Sequence, residues 1–149
     1  MSAAEHQIQV SIARYLDVAL TEDTIFFAVP NGGHLAAKEK TIALGKKKRF
    51  SPAALKLKRE GMKNGVADIV VIDRFPFPAG GSRVIALEVK APRGTQSDDQ
   101  KTWAQKASRA GVRYHVVRSI EDVAAALKGE GVRLRAIPST TPGRLYEST

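Results

Sequence analysis

Apolar positions in the first thirty residues predict one helix followed by one strand. Residues 3 to about 20 show a helical period of apolar side chains, with Ser2 placed as the N-cap. The apolar stripe of this helix consists of Ile8, Ile12, Tyr15, Leu16 and Ala19. The run IFFAV at 25–29 then predicts a short strand, which ends at the turn sequence PNGG, 30–33.

The middle of the chain predicts a pair of antiparallel strands. VADIVVI at 66–72 is almost entirely apolar, which predicts a strand that is buried on both faces. The segment 73–82 contains two prolines and two glycines and is predicted as a loop, and RVIALEVK at 83–90 is predicted as the returning strand. If the loop is centred near Pro78, opposed residue numbers sum to about 156, and Asp68 lies across from Glu88.

The second half of the chain predicts two further helices around a strand. A helix is expected from about 98 to 110, a strand at 113–117, and a second helix from Ser119 through Leu127. The expected caps and stops are Ser97, Gly111 and Gly129. The strands at 83–90 and 113–117 should be parallel, because a helix connects them. Together with the preceding hairpin, this predicts an α/β fold with a mixed sheet flanked by helices.

Two opposite charges at the end of the strand 83–90 stand out, because burying a charge is costly unless it is paired or binds a metal. Ile85, Leu87 and Val89 alternate on one face, so Glu88 and Lys90 share the other. A carboxylate facing a carboxylate, as expected for Glu88 and Asp68, is stable if a cation lies between them or one group is protonated. The pattern predicts a metal site with a cationic neighbour.

Net charge points to a polyanionic partner. The 149 residues include 24 Lys and Arg against 15 Asp and Glu, for a net charge of +9. The segment from Lys38 to Lys63 alone holds ten basic and two acidic residues, and a short helix capped by Ser51, with Pro52 at its first position, is predicted within it to end near Gly61. Nucleic acid is the first expectation and an anionic membrane surface the second. Carboxylates, a lysine and a basic segment together favour metal-assisted phosphodiester hydrolysis.

Other features narrow the class of protein. The chain has no cysteine, which excludes disulfides and thiolate metal sites. Glu5 and Asp17 interrupt the apolar pattern of the first helix, so we expect neither a signal peptide nor a membrane span, and a cytoplasmic location. PSTTPGRLYEST at 138–149 has the composition of a linker, and we expect a disordered tail.

The ordered set of motifs resembles a known family. Asp68, a loop, and then Glu88-Val89-Lys90 are similar to the D…(D/E)XK signature of the PD-(D/E)XK nuclease superfamily. The wider pattern resembles the VRR-NUC domain family over about residues 3 to 127. The further matching positions are Glu5, Gln9, Asn31-Gly32-Gly33, Gly65-Val66-Ala67, Ser97, Gln100, Trp103 and Gly111. Ala67 departs from the proline of the superfamily name, a minor difference, since proline mainly stiffens the approach to the aspartate.

The resemblance implies a restriction-endonuclease-like core in the order αβββαβ, with residues 1–137 as the nuclease domain. It implies Mg²⁺ or Mn²⁺ as cofactor, with Asp68, Glu88 and the backbone carbonyl of Val89 as ligands. Glu5 would complete the metal site directly or through water. Lys90 would be the catalytic lysine, with Gln100 supporting the site from the following helix.

The resemblance also implies a substrate and an assembly. Its members cleave DNA, typically branched DNA, and small stand-alone members, many from bacteriophages, act as homo-oligomers that include Holliday-junction-resolving enzymes. We therefore expect branched DNA as the partner and a homodimer. The basic run at Lys46, Lys47, Lys48 and Arg49 is the expected DNA contact.

Each of these interpretations has an alternative. Glu5 lies three residues after Ser2, and Gln100 three after Ser97, so both fit a capping box. Asp68 and Glu88 could belong to a structural ion-pair network with Lys90, and the run 46–49 could be a solvated loop. For the whole chain, the alternatives are a DNA-binding module without catalysis and a nuclease acting on RNA or single strands.

Overall fold

The computed structural model describes residues 1–30, 38–41 and 47–137 of the chain. The helices are Ala3–Ala19 (α1), Pro52–Arg59 (α2), Asp98–Arg109 (α3) and Ile120–Gly129 (α4). The strands are Thr24–Ala28 (β1), Lys38–Thr41 (β2), Lys47–Phe50 (β3), Ile69–Arg74 (β4), Ser82–Val89 (β5) and Arg113–Val117 (β6). The tail at 138–149 and the turn residues 31–33 lie outside the described residues.

A four-stranded mixed sheet forms the centre of the fold. Its strand order is β1-β4-β5-β6. The pairs β1–β4 and β4–β5 are antiparallel, and the pair β5–β6 is parallel. The connection from β5 to β6 runs through α3, as the sequence predicted for a parallel pair. The predicted α/β fold with the core order αβββαβ is confirmed, with β2, β3 and α2 inserted between β1 and β4.

One face of the sheet carries the hydrophobic core. Alternate residues of β4 and β5 pack there against the inward sides of α1 and α4. The fully buried members are Ile12, Leu16, Ile69, Val71, Ile85, Leu87, Val123 and Leu127. On the other face, α3 covers β5 and β6 through Ala107 and through Trp103, whose ring lies 5.9 Å from that of Tyr114. This second face is only half covered at β4, where Val70 and Ile72 are half-buried.

The β4–β5 register places the charged residues as the sequence predicted. The residue numbers of each β4–β5 pair sum to 156, from Arg74 opposite Ser82 to Ile69 opposite Leu87. Asp68 and Glu88 are therefore the next pair, on the face that α3 covers. Because side chains alternate along a strand, this face is opposite the one that holds the aliphatic core.

The predicted end of β4 was wrong, because the strand continues through Asp73 to Arg74. Asp73 lies opposite Arg83 and accepts hydrogen bonds from Thr24 Oγ1 at 2.6 Å and Arg83 Nε at 2.7 Å. This buried pair lets two charged residues sit inside a sheet. The start was also predicted too early, since β4 begins at Ile69.

The structure differs from the sequence prediction in two other places, the lysine-rich strands β2 and β3 and the end of helix α4. Lys38–Thr41 and Lys47–Phe50 form an antiparallel pair that the sequence did not predict, because Lys-rich strands lack an apolar alternation. Helix α4 extends through Gly129, and the residue with the left-handed backbone is Gly131, at φ 81°. Val132 N then donates to Leu127 O, the bond that ends such helices.

Within the described part of the chain, no helix has both the length and the apolar content required to cross a membrane.

Candidate active site

Two buried carboxylates form the floor of the site. Asp68 is 3% exposed and Glu88 is 1% exposed. Asp68 Oδ2 accepts a hydrogen bond from the backbone N–H of Val89 at 2.8 Å, which fixes this carboxylate beside the end of β5. Val29 N also donates to the carbonyl of Asp68 at 2.8 Å, so β1 helps to hold the same residue. Asp68, directly before β4, and Glu88, within β5, are thus placed side by side at the end of the β4–β5 hairpin.

Lys90 joins the carboxylates from the end of β5. Its side chain is buried, and its Nζ lies 3.3 Å from Glu88 Oε1 and 3.9 Å from Glu5 Oε1. Glu88 and Lys90 are two residues apart, so strand alternation alone directs both to the same face. The structural ion pair proposed as the alternative is therefore present, and it includes Glu5 as well.

The surroundings of Glu88 oppose its ionisation. Burial and the negative charge of Asp68 raise the pKa of Glu88 from 4.5 to about 7, against the opposing effect of Lys90. A cation placed between the two carboxylates would remove this repulsion. The pair therefore has the electrostatic character of a cation-binding site.

Gln100 links the N-terminus of α3 to this floor. Its Oε1 accepts the N–H of Ser97 at 2.8 Å, and its own N–H donates to Ser97 Oγ at 3.3 Å, which completes a capping box. Its Nε2 donates a hydrogen bond to Glu88 Oε1. The capping box is thus present, and the same side chain also contacts Glu88.

Glu5 has a similar double contact at the start of α1. Its Oε2 accepts the N–H of Ser2 at 2.8 Å in a capping box, while Oε1 faces Lys90. Burial opposes ionisation of Glu5, but the backbone N–H of Ser2 and the charge of Lys90 outweigh it and lower the pKa. Glu5 is thus held as a carboxylate beside Lys90.

Tyr114 is a site neighbour that the sequence did not predict. Its hydroxyl lies 3.4 Å from Glu88 Oε2 and accepts a hydrogen bond from Gln96 Nε2 at 3.0 Å. Burial and the charge of Glu88 raise the pKa of Tyr114, so the hydroxyl keeps its proton. The parallel register, which pairs Ala86 with Tyr114, could have located it, because residues of equal parity on adjacent strands share a face.

An open cavity of about 380 Å³ lies over these groups. Its lining includes all four residues of the ionic cluster together with the N-terminus of α3, α2 and the turn that follows α2. Among its other lining residues are Ala54, Lys58, Lys63, Asn64, Asp99 and Gln100. The cluster is therefore accessible to a substrate, although Asp68, Glu88 and Lys90 are buried.

Gly65 sets the distance between two walls of this cavity. It has φ 75°, and a Cβ at this position would lie 2.3 Å from the backbone oxygen of Asp99 and 2.7 Å from the backbone nitrogen of Gln100. Only glycine fits such an approach. Gly65 thus allows the turn before β4 to pack against the first turn of α3.

The predicted basic contact is only partly described. Lys47, Lys48 and Arg49 lie in β3, paired with β2 in the register Thr41 to Lys47, Lys40 to Lys48 and Glu39 to Arg49. Lys46 lies outside the described residues. His115 Nε2 lies 2.8 Å from Glu130 Oε1.

The oxygen atoms of Asp68 and Glu88 suit a divalent metal. Two facing carboxylates are the oxygen ligands that Mg²⁺ takes in proteins, with water and substrate phosphate completing the shell. Among the residues that the structure describes, no group of three or more His, Cys, Asp or Glu side chains is arranged to hold a metal ion. Glu5 does not form such a group with Asp68 and Glu88, so the fit is to a site of two carboxylates.

The fold and this cluster together define an α/β domain of the restriction-endonuclease-like class. The sequence model of the VRR-NUC domain matches residues 4–121, which is most of the chain. The chain belongs to the VRR-NUC domain family, and it is a nuclease-type domain, as its motifs predicted.

A solved structure of a VRR_NUC domain protein has the same fold. It superposes with a TM-score of 0.54, covering 87% of this chain and 88% of that chain at 18% sequence identity. A comparison with curated protein sequences gives no match.

Proposed function

We propose that the protein is a Mg²⁺- or Mn²⁺-dependent endonuclease that hydrolyses DNA phosphodiester bonds. The observation that supports this most is the position of Lys90 Nζ, 3.3 Å from Glu88 Oε1, beside a second buried carboxylate and below an open cavity. A purely structural ion pair requires neither the second carboxylate nor the cavity. The grouping instead suits a reaction in which negative charge builds up on a phosphate.

Asp68, Glu88 and the carbonyl of Val89 would hold the metal ion. When bound, the metal supplies Lewis-acid activation of the phosphoryl oxygen and lowers the pKa of a water. The hydrogen bond from Val89 N fixes Asp68, and the one from Gln100 fixes Glu88, so both carboxylates are oriented before a ligand arrives.

Lys90 would position the attacking water or stabilise the charge that develops on the phosphate. Its neighbours Glu88 and Glu5 hold the ammonium group in place. In this proposal Glu5 contributes through Lys90 or through a bridging water. Gln100 acts through Glu88 as a positioning residue.

Branched DNA, such as a Holliday junction, is the proposed substrate, and a homodimer the proposed assembly. The net charge of +9 supports a polyanionic substrate. Cutting a junction on opposed strands requires two active sites, so the oligomeric state and the substrate are linked. The basic residues at 46–49 are proposed to contact the DNA backbone.

A cleavage panel tests this proposal. The wild-type protein is incubated with end-labelled four-way junction, flap, linear duplex, single-stranded DNA and RNA, each with Mg²⁺, Mn²⁺ or EDTA. We expect cutting of DNA that EDTA abolishes, with the junction cut fastest. Preferential cutting of RNA would show that the substrate is RNA and not DNA. Binding of DNA without cutting in the presence of either metal would indicate a non-catalytic DNA-binding module.

A further inference from the structure

A short basic helix forms part of the cavity wall without any role in the core. Helix α2 has no buried residue, and its last turn carries Lys56, Lys58 and Arg59. Its ends are fixed locally, by Ser51 Oγ accepting the N–H of Ala54 and by Met62 N donating to Leu57 O. The fold therefore keeps α2 beside the cavity even though this helix adds little to the aliphatic core.

One side of α2 faces the cavity. Ala54 and Lys58 both line it, and residues four apart lie on the same side of a helix. Lys56 is two positions from Lys58, roughly 200° around the helix axis, and pairs with Glu60 at 3.9 Å. Lys56 does not line the cavity, so the two lysines of one helix differ in what they face.

Lys63 enters the same cavity from the turn after α2. Gly61 has φ 107° and ends the helix, so the chain passes back along the cavity through Lys63 and Asn64. Both lysines are exposed, and neither has an ion-pair partner among the residues that the structure describes. Their charges are thus available to a ligand.

The acidic residues that line the cavity would repel a phosphodiester unless lysines offset their negative charge. A phosphodiester that approached the floor would meet four carboxylates, which repel it. The acidic lining residues are Glu5, Asp68, Glu88 and Asp99, and the lysines are Lys58, Lys63 and Lys90. Lys90 is held on the floor by Glu88, so Lys58 and Lys63 are the lining lysines available to phosphates away from the scissile bond.

We infer that Lys58 and Lys63 bind the DNA backbone phosphates that flank the scissile phosphodiester, a role that rests on the proposed nuclease function. Each ammonium group is compact and mobile, which suits contact with phosphates without base readout. The two lysines would hold the DNA strand across the floor, while Asp68, Glu88 and Lys90 act on the scissile phosphodiester bond.

The test compares two double variants of equal charge. Lys58→Gln with Lys63→Gln removes the cavity lysines, and Lys56→Gln with Lys128→Gln removes two exposed lysines that do not line the cavity. Binding to fluorescein-labelled duplex and four-way junction is measured by anisotropy over a salt series, once with Ca²⁺ and once with EDTA. Circular dichroism checks that both variants are folded.

We expect the cavity double variant to bind about tenfold more weakly and to lose about two units of the slope of log K against log salt for duplex. The control double variant should bind within about twofold of wild type. Equal binding and equal slopes for the two double variants would overturn the inference, as would a wild type that binds no DNA.

The outcome separates this inference from the proposed function. If wild type cuts DNA but the cavity variant binds normally, the nuclease remains and the assignment of the two lysines is wrong. If wild type never cuts, but the cavity variant alone loses binding, the lysines contact nucleic acid and the proposed catalysis is wrong.

Discussion

The side chain of Gln100 holds Ser97 with its oxygen and Glu88 with its nitrogen. Oε1 accepts the Ser97 N–H at 2.8 Å, and Nε2 donates to Oε1 of Glu88. The same amide therefore caps the N-terminus of α3 and orients a carboxylate of the candidate metal site. A glutamate could perform the first of these roles but could not donate the second hydrogen bond.

Gln100→Glu tests the contact with Glu88 independently of the capping of α3. We expect the variant to keep the capping box but to lose about tenfold or more in cleavage rate, because an added carboxylate faces Glu88. Gln100→Ala should lose activity and also about 1 kcal/mol of stability through the missing cap. Full activity of Gln100→Glu would show that the bond to Glu88 has no catalytic consequence.

Glu5→Gln tests the role of charge at the second capping box. Glutamine preserves the box with Ser2, so we expect little change in the free energy of unfolding. Removal of the charge that faces Lys90 at 3.9 Å should lower the cleavage rate severalfold. The measurement is the initial rate of junction cleavage beside a thermal melt. An unchanged rate would restrict Glu5 to capping α1.

The pKa of Glu88 predicts how the stability of the metal-free protein depends on pH. Because the pKa is raised from 4.5 to about 7, the folded state binds more protons than the unfolded state within this interval. The free energy of unfolding should therefore fall as pH rises from about 4.5 to about 7, by an amount on the order of 3 kcal/mol.

Chemical denaturation in EDTA at pH 5 and pH 8 measures this fall. Glu88→Gln should lose most of it, since glutamine does not titrate, and should exceed wild type in stability at pH 8. Added Mn²⁺ or Mg²⁺ should stabilise wild type at pH 8 but not this variant. The same pH dependence in both proteins would contradict the assignment of the raised pKa to Glu88.

Gly65→Ala tests the close packing of the turn before β4 against α3. A Cβ would lie 2.3 Å from Asp99 O, and φ is 75°, so we expect a loss of about 2 kcal/mol or more in stability. Gly61→Ala is the matched control, because its φ of 107° carries a similar backbone strain with nothing within 4 Å of the added atom. Equal losses for both would show that the contact with α3 contributes nothing.

Much of the sheet and its charged pair was predictable from sequence, because both depend on a period of two. The alternation in 83–90 separated Ile85 and Leu87 from Glu88, and the loop centre near Pro78 set a register that the structure confirms. Gly111 and Ser97 marked the ends of α3 because caps depend on local chemistry.

Other parts depend on contacts between distant residues, which local patterns do not carry. Asp73 was assigned to a loop because its partner Arg83 lies ten residues further on. Tyr114 reaches Glu88 only once β6 has joined the sheet, and Gln100 reaches it only once α3 packs on the sheet. The place of Lys58 in the cavity wall was likewise hidden, since all the lysines of the segment look alike in sequence.

The most decisive measurement is the initial rate of junction cleavage for wild type, Glu88→Gln and Lys90→Ala with Mg²⁺ or Mn²⁺, with Lys128→Gln as the control. We expect wild type and Lys128→Gln to cut at the same rate, EDTA to abolish cutting, and the other two variants to lose at least about a hundredfold. Comparable rates for Glu88→Gln, Lys90→Ala and wild type, or cutting that persists in EDTA, would contradict a metal-dependent nuclease that acts through these residues.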